Sequence, residues 1–153
     1  MQTLQIDPTK ARKLYGSASS EFKSMLEDTF GPTFFSMTIT DRIKTFEDAC
    51  RELGLDPEDV FNGSDSTDEA AYKKLKVICC ALNEGWKPDW TNSGEYKYYP
   101  WFDLSSGSGL SCDDYDYYCS LSTVGLRLCF KSRQLAEYAG KQFISEYKDF
   151  FIY

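Results

Sequence analysis

The chemistry open to this chain is set first by a missing residue: its 153 residues include no histidine. Ser-His-Asp and Cys-His nucleophile pairs, histidine metal sites and imidazole proton shuttles are therefore excluded. Catalysis would rest on cysteine, carboxylates, lysine or tyrosine. The six cysteines are Cys50, Cys79, Cys80, Cys112, Cys119 and Cys129. None forms a C-x-x-C pair, so their spacing gives neither a zinc site nor a thioredoxin motif. Cys50, Cys79 and Cys80 fall in helical patterns and Cys129 in a strand pattern. They read as small buried hydrophobes in a reducing compartment. Cys112 and Cys119 flank an acidic segment, where a disulfide is the alternative. The 24 carboxylates are scattered, and spacing singles out no acid-base pair. The chain reads as non-catalytic, with no metal and no cofactor expected.

Three constellations suit binding instead. Trp86, Trp90, Tyr96, Tyr98, Tyr99, Trp101 and Phe102 fall within 17 residues. Such a set is either a stacking platform for bases, nucleotides or sugars, or the aromatic filling of a small sheet. Only Lys87 and Lys97 accompany it, against Glu84, Asp89, Glu95 and Asp103, which argues against a single-strand nucleic-acid platform. Asp113, Asp114 and Asp116 alternate with Tyr115 and Tyr117. They lack the ligand spacing of a calcium loop and read as an exposed, tyrosine-bearing acidic recognition loop. Arg127, Lys131 and Arg133 gather at the last strand-to-helix turn, where a helix N-terminus favours anions. No glycine-rich phosphate loop accompanies them. The candidate binding residues are Trp86, Trp90, Tyr98, Trp101, Tyr115, Tyr117, Arg127, Lys131 and Arg133.

The elements that must position these residues follow from caps and periodicity. Asp7-Pro8 opens a helix whose apolar stripe runs through Ala11, Leu14, Tyr15, Ala18, Phe22, Met25, Leu26 and Phe30. That predicts one amphipathic helix over residues 8–30, with Gly16-Ser17 as the point where it would break. Residues 33–40 are β-branched and aromatic, and predict an extended linker or short strand. Thr45 and Ser66, each followed three residues later by an acid, open helices ending before Gly54 and Gly85. Tyr96 to Phe102 predicts a strand at an edge or with a bulge, because of Pro100. Gly125 to Phe130 alternates as a second strand. Ser132 caps a last helix with Leu135, Ala136, Ala139, Phe143, Ile144, Tyr147, Phe150 and Phe151 on its apolar face. The fold class is α+β: helices packed on a small antiparallel sheet, with an N-terminal amphipathic helix. Residues 1–37 form a helical arm and 38–153 the core domain. The stripe over residues 8–30 must be covered, either by a second copy in a homo-oligomer or by packing over the helix predicted at 67–84.

The chain carries a net charge of −7, concentrated in residues 38–125. Direct nucleic-acid binding is not expected of such a balance, nor is attraction to an anionic membrane. No apolar run is long enough to span a bilayer, and the N-terminus lacks the pattern of a secretory signal.

From residue 38 onward the chain resembles a group of small proteins encoded by phages, prophages and mobile elements of gut Bacteroidetes. The resemblance is carried by Thr40 through Cys50, Leu82 through Trp90, Tyr96 through Phe102, and Arg127 through Ser132 continuing to Tyr138 through Phe143. It implies a mobile-element origin and a setting in the host cytoplasm or the virion, and it brings no activity or site residues. Together these readings predict a non-catalytic accessory protein that acts by protein–protein interaction, its partner plausibly a host protein. One alternative is an inhibitor of a host defence nuclease whose acidic surface mimics nucleic acid. The other is a small nucleotide-binding or enzymatic domain built on the aromatic cleft.

Overall fold

The computed structural model describes residues 6–105, 110–121 and 127–152. They gather into two compact units, one reaching to Asp41 and one starting at Arg42. The fold is α+β, with helices packed on a two-stranded antiparallel sheet. Among the described residues no helix is long and apolar enough to cross a membrane.

In the first unit, Asp7 caps α1 (Pro8–Tyr15) by accepting the Thr9 N–H at 2.9 Å. The single helix predicted over residues 8–30 does not form. Helical bonding stops at Gly16, and Ser19 opens α2 (Ser20–Phe30) by accepting the Phe22 N–H. Glycine is a poor helix former and serine prefers the cap to the interior, so the break falls where local propensity is weakest. The extended linker predicted for 33–40 is also overturned. Gly31, at φ 85°, reverses the chain, and Pro32 then starts α3 (Pro32–Ser36); α4 (Ile39–Arg42) follows at the junction. These short helices let the aromatic rings meet. Tyr15 stacks on Phe35 at 4.2 Å and Phe30 on Phe34 at 5.0 Å, while the Arg12 guanidinium lies 3.7 Å over Phe34. Part of the apolar stripe is thus consumed within the unit, although Leu14 and Met25 stay exposed.

The second unit opens with α5 (Phe46–Leu53), closed at its start by a reciprocal Thr45–Asp48 capping box and ended by Gly54 in the left-handed conformation. A 3-10 turn (Pro57–Val60) follows, capped by Asp56. At the start of α6 (Thr67–Leu82), the Ser66 N–H donates to the Glu69 carboxylate at 2.8 Å. This helix buries Leu75, Ile78, Cys79 and Leu82 between α5 on one side and the last helix on the other.

The sheet pairs β1 (Lys97–Asp103) with β2 (Ser111–Tyr118), with a bulge at Trp101/Phe102. Two expectations change here. The acidic segment 113–118, predicted as a loop, is the second strand. The strand predicted over 125–130 is reduced to one bridge, Phe130 with Tyr98; Gly125 and residue 126 lie outside the described residues. Alternating aspartate hides a strand from any hydrophobic pattern, whereas the Arg-Leu-Cys-Phe alternation of residues 127–130 mimics one.

The predicted last helix bends at Phe143 into α7 (Arg133–Gln142) and α8 (Ile144–Phe151). α7 covers the sheet and α8 lies against α6. Gly140 sets the first of these distances. A Cβ there would stand 2.4 Å from Cys112 Sγ and 2.7 Å from Pro100 Cβ. The bend buries the Phe143 ring edge-on to Tyr138, whose hydroxyl donates to the Ile43 carbonyl at 2.6 Å.

Gly140→Ala gains about 1 kcal/mol of helix propensity but overpacks a contact that the rigid proline ring cannot relax. Chemical denaturation is expected to show a net loss of about 1–2 kcal/mol. A midpoint equal to or above the parent's would mean that α7 does not sit this close to the sheet. Phe143→Ala is expected to cost about 3–5 kcal/mol.

Candidate functional site

Antiparallel register assigns each hairpin side chain to a face, because residues directly opposite share one. Tyr99 faces Asp116 and Trp101 faces Asp114 on one side, together with Tyr118 opposite Lys97. Tyr98 faces Tyr117 and Pro100 faces Tyr115 on the other. The aromatic run read as one cluster is therefore two. Tyr98, Tyr115 and Tyr117 pack together with Tyr96, at ring separations from 4.6 to 6.2 Å. Trp101 belongs with Tyr99 on the opposite face, 6.4 Å away.

Trp90 joins the second group through Tyr118, at 6.1 Å. It is held by a turn wound around Lys97. That side chain is fully buried, and its ammonium donates to the carbonyls of Asn92 at 3.0 Å and Glu95 at 2.7 Å. It also lies 3.3 Å from the Glu95 carboxylate and 5.5 Å from the centre of the Trp90 ring. The other Glu95 contact, an Asp89 N–H donated at 2.8 Å, closes the turn. Trp86 is half-buried at the start of this segment, and its N–H donates to the Asn83 carbonyl.

The three cations do not converge on an anion site. Lys131 pairs with Glu84 at 2.9 Å, and the same carboxylate takes Arg42 at 3.0 Å. Arg133 pairs with Glu137 at 2.7 Å and lies 4.6 Å over the Tyr115 ring. Arg127 is exposed. Ser132 occupies the end of α7 by accepting the Leu135 N–H. Each folded-state partner is a group of this chain, so the positive charge at this turn is largely neutralised.

What the fold does assemble is a groove of about 670 Å³ between β1, α6 and α8. The hairpin contributes Tyr99, Trp101, Phe102 and Tyr118, and Leu104 lies just beyond β1. Tyr72 comes from α6, and Tyr147, Phe150 and Phe151 from α8. The walls hold each other: Tyr72 stacks on Phe150 at 5.5 Å and Tyr99 on Tyr118 at 4.2 Å, while Tyr147 meets Phe102 at a tilt, 4.7 Å between centroids. Burial pushes the Tyr99 phenol well above its ordinary range, reinforced by its hydrogen bond to the Asp116 carboxylate; burial does the same to Tyr147. Both stay neutral at physiological pH. None of the lining residues is charged. Of the nine residues singled out in the sequence, Trp101 alone lines the groove. Tyr72, Tyr147, Phe150 and Phe151 carried no signal beyond membership of an apolar helix face.

The cysteines are free thiols. Cys112 and Cys119 cannot pair within the chain, because β2 between them is extended and seven residues span roughly 23 Å. Burial pushes the Cys129 thiol up to about 11, and Cys79 and Cys50 also rise through burial. Among the described residues no three cysteine or carboxylate side chains gather as a metal-ligand set.

No family model matches the chain, and neither a curated protein nor a solved structure does.

Two outcomes follow. In the native protein a maleimide should modify exposed Cys80 quickly, while Cys50, Cys79 and Cys129 react only after denaturation; fast labelling of Cys79 would contradict its burial. Lys97→Ala leaves two carbonyls and Glu95 without their cation. It should cost on the order of 3 kcal/mol and alter tryptophan fluorescence through Trp90. A loss below about 0.5 kcal/mol would show that Lys97 behaves as a surface residue.

Proposed function

We propose that this chain is a non-catalytic accessory protein of a phage or mobile element that acts by binding a protein partner, and that the groove along β1 is its docking site. The observation that carries this reading is the exposed apolar rim of a concave aromatic surface. Trp101 is 54% exposed, Leu104 58% and Phe151 45%, and all three line the same groove. Contiguous apolar surface of this kind is costly in water and is characteristic of interaction sites, where aromatic residues anchor a partner and exclude solvent. The phage or mobile-element origin is supported by the resemblance over residues 38–153. The host cytoplasm or the virion is the setting that goes with it.

The two other readings have less behind them. Nucleic-acid mimicry needs carboxylates free to face a partner. Here many are used locally: Asp48, Asp56 and Glu69 in caps, Asp65 on Lys73, Glu52 and Glu84 on Arg42, and Asp89 and Glu95 in the turn around Lys97. A nucleotide site needs cations beside the rings of the groove, whereas Lys131 pairs with Glu84 and Arg133 with Glu137.

The test is site-specific photocrosslinking in the host cell. A benzophenone side chain at position 104 is expected to yield a discrete protein adduct that the same group at Glu58, on the 3-10 turn, does not. Phe151→Asp should abolish the adduct without unfolding the chain. Identical adducts from both positions, or none from position 104, would remove the groove as the docking site.

A further inference from the structure

The groove is neutral inside, but its sheet end is acidic. The hairpin from Lys97 to Tyr118 contains one basic residue, Lys97, against Asp103, Asp113, Asp114 and Asp116. Lys97 is fully buried and committed to the 92–95 turn, so the accessible charge of the hairpin is entirely negative. Asp114 stands directly opposite Trp101, and Asp116 opposite Tyr99. Cross-strand partners share a face, so both carboxylates flank the aromatic rings that form this end of the groove. At the helical wall, Lys76 lies 5.3 Å over Tyr72, a residue of α6. The groove therefore has an acidic sheet end, and a basic side chain beside its helical wall.

The other face of the same hairpin shows what such a surface accepts. There Arg133 lays its guanidinium 4.6 Å over Tyr115 and pairs with the Glu137 carboxylate at 2.7 Å. A planar cation over an aromatic face, with a carboxylate nearby, is a stabilising arrangement. On the groove face the larger ring, Trp101, is more than half exposed, and among the described residues no cation of this chain is found over it.

We propose that the partner's docking segment brings an arginine or lysine to the sheet end of the groove. Its cation lies over Trp101 and pairs with Asp114 and Asp116, while apolar anchors enter between Phe102, Phe150 and Phe151. This rests on the reading of the groove as a protein-docking site and specifies the chemistry of what docks there.

The experiment uses the full chain and two fluorescent amphipathic helical peptides. They share one Leu/Phe face and differ only in whether the polar face carries Arg and Lys or Gln. Fluorescence anisotropy is expected to give at least about tenfold tighter binding for the basic peptide, with the preference falling as salt is raised. Asp114→Asn with Asp116→Asn should reduce the preference to about twofold or less. Neutralising the same number of exposed acids elsewhere, with Glu58→Gln and Asp59→Asn, should leave it intact and so separate a local site from the net charge. Circular dichroism confirms that each variant is folded. If both peptides bind equally and Phe151→Asp removes both, the groove reading stands and the cationic partner is overturned. If neither binds, both fail. If the Asp114/Asp116 variant binds as before but self-associates, the carboxylates protect a strand edge and the inference is wrong.

Discussion

One buried amide closes the second unit. Asn83 caps the end of α6 and is 5% exposed as a residue. Its Nδ2 donates to the Cys129 carbonyl at 2.8 Å, and its Oδ1 accepts the Lys131 N–H at 3.0 Å. The residue between them, Phe130, uses its own N–H and carbonyl on Tyr98 of β1, at 2.7 and 3.0 Å. Segment 129–131 therefore has β1 on one edge and a single side chain in place of a neighbouring strand on the other. Each of these groups would be expensive to bury without a partner. The amide satisfies them in one register, and in doing so it ties α6 to segment 129–131 across more than forty residues of sequence, and through Phe130 to β1. Cys79 reinforces the junction by donating its thiol to the same Cys129 carbonyl at 3.0 Å.

The chain reverses immediately after this amide, and its charges settle there. Glu84 takes a positive φ of 50° and Gly85 one of 86°. The left-handed backbone at Glu84 costs roughly 1–2 kcal/mol, offset by a carboxylate that receives both Arg42 and Lys131. Lys97 repeats the principle at the start of β1, where a buried cation organises a loop by collecting its carbonyls. Polar groups inside this unit thus act as fasteners, between distant segments at Asn83 and Glu84 and within one turn at Lys97. The apolar groups on the outside of α6, α8 and β1 are left to form the groove. With α7 drawn onto the sheet at Gly140 and α8 bent away at Phe143 to meet α6, the helical layer and the outer part of β1 diverge. The aromatic rings of both walls line the space between them.

The functional proposal rests on that division of labour. The groove is walled by neutral phenols, phenyl rings and one indole, and none of its described lining residues is charged. An exposed, concave aromatic surface of this kind is what a partner's apolar side chains would bury.

The sequence by itself determined the starts of α5, α6 and α7, the α+β class and the absence of imidazole chemistry, but not the bend that divides the last helix at Phe143. Caps and stops such as Thr45–Asp48, Ser66–Glu69, Ser132 and Gly54 act through bonds spanning at most four residues, so a single stretch of chain contains the whole interaction. The tertiary structure alone decided the rest. The Asp-Asp-Tyr-Asp segment became β2 because β1 and α7 were there to receive it, while residues 127–130, with the better pattern, kept only one bridge. The break at Gly16–Ser19 was marked locally, but the helix at 32–36 was not, since its rings are satisfied by Tyr15 and Phe30 from other elements. The division of Tyr98, Tyr115 and Tyr117 from Tyr99 and Trp101 depends on a register that no single strand encodes. The roles of Asn83 and Gly140 are invisible locally for the same reason. A buried amide and a missing Cβ have meaning only relative to partners brought up from elsewhere in the chain. Lys97 takes its partners from the adjacent 92–95 turn, but its full burial depends on the packing around that turn.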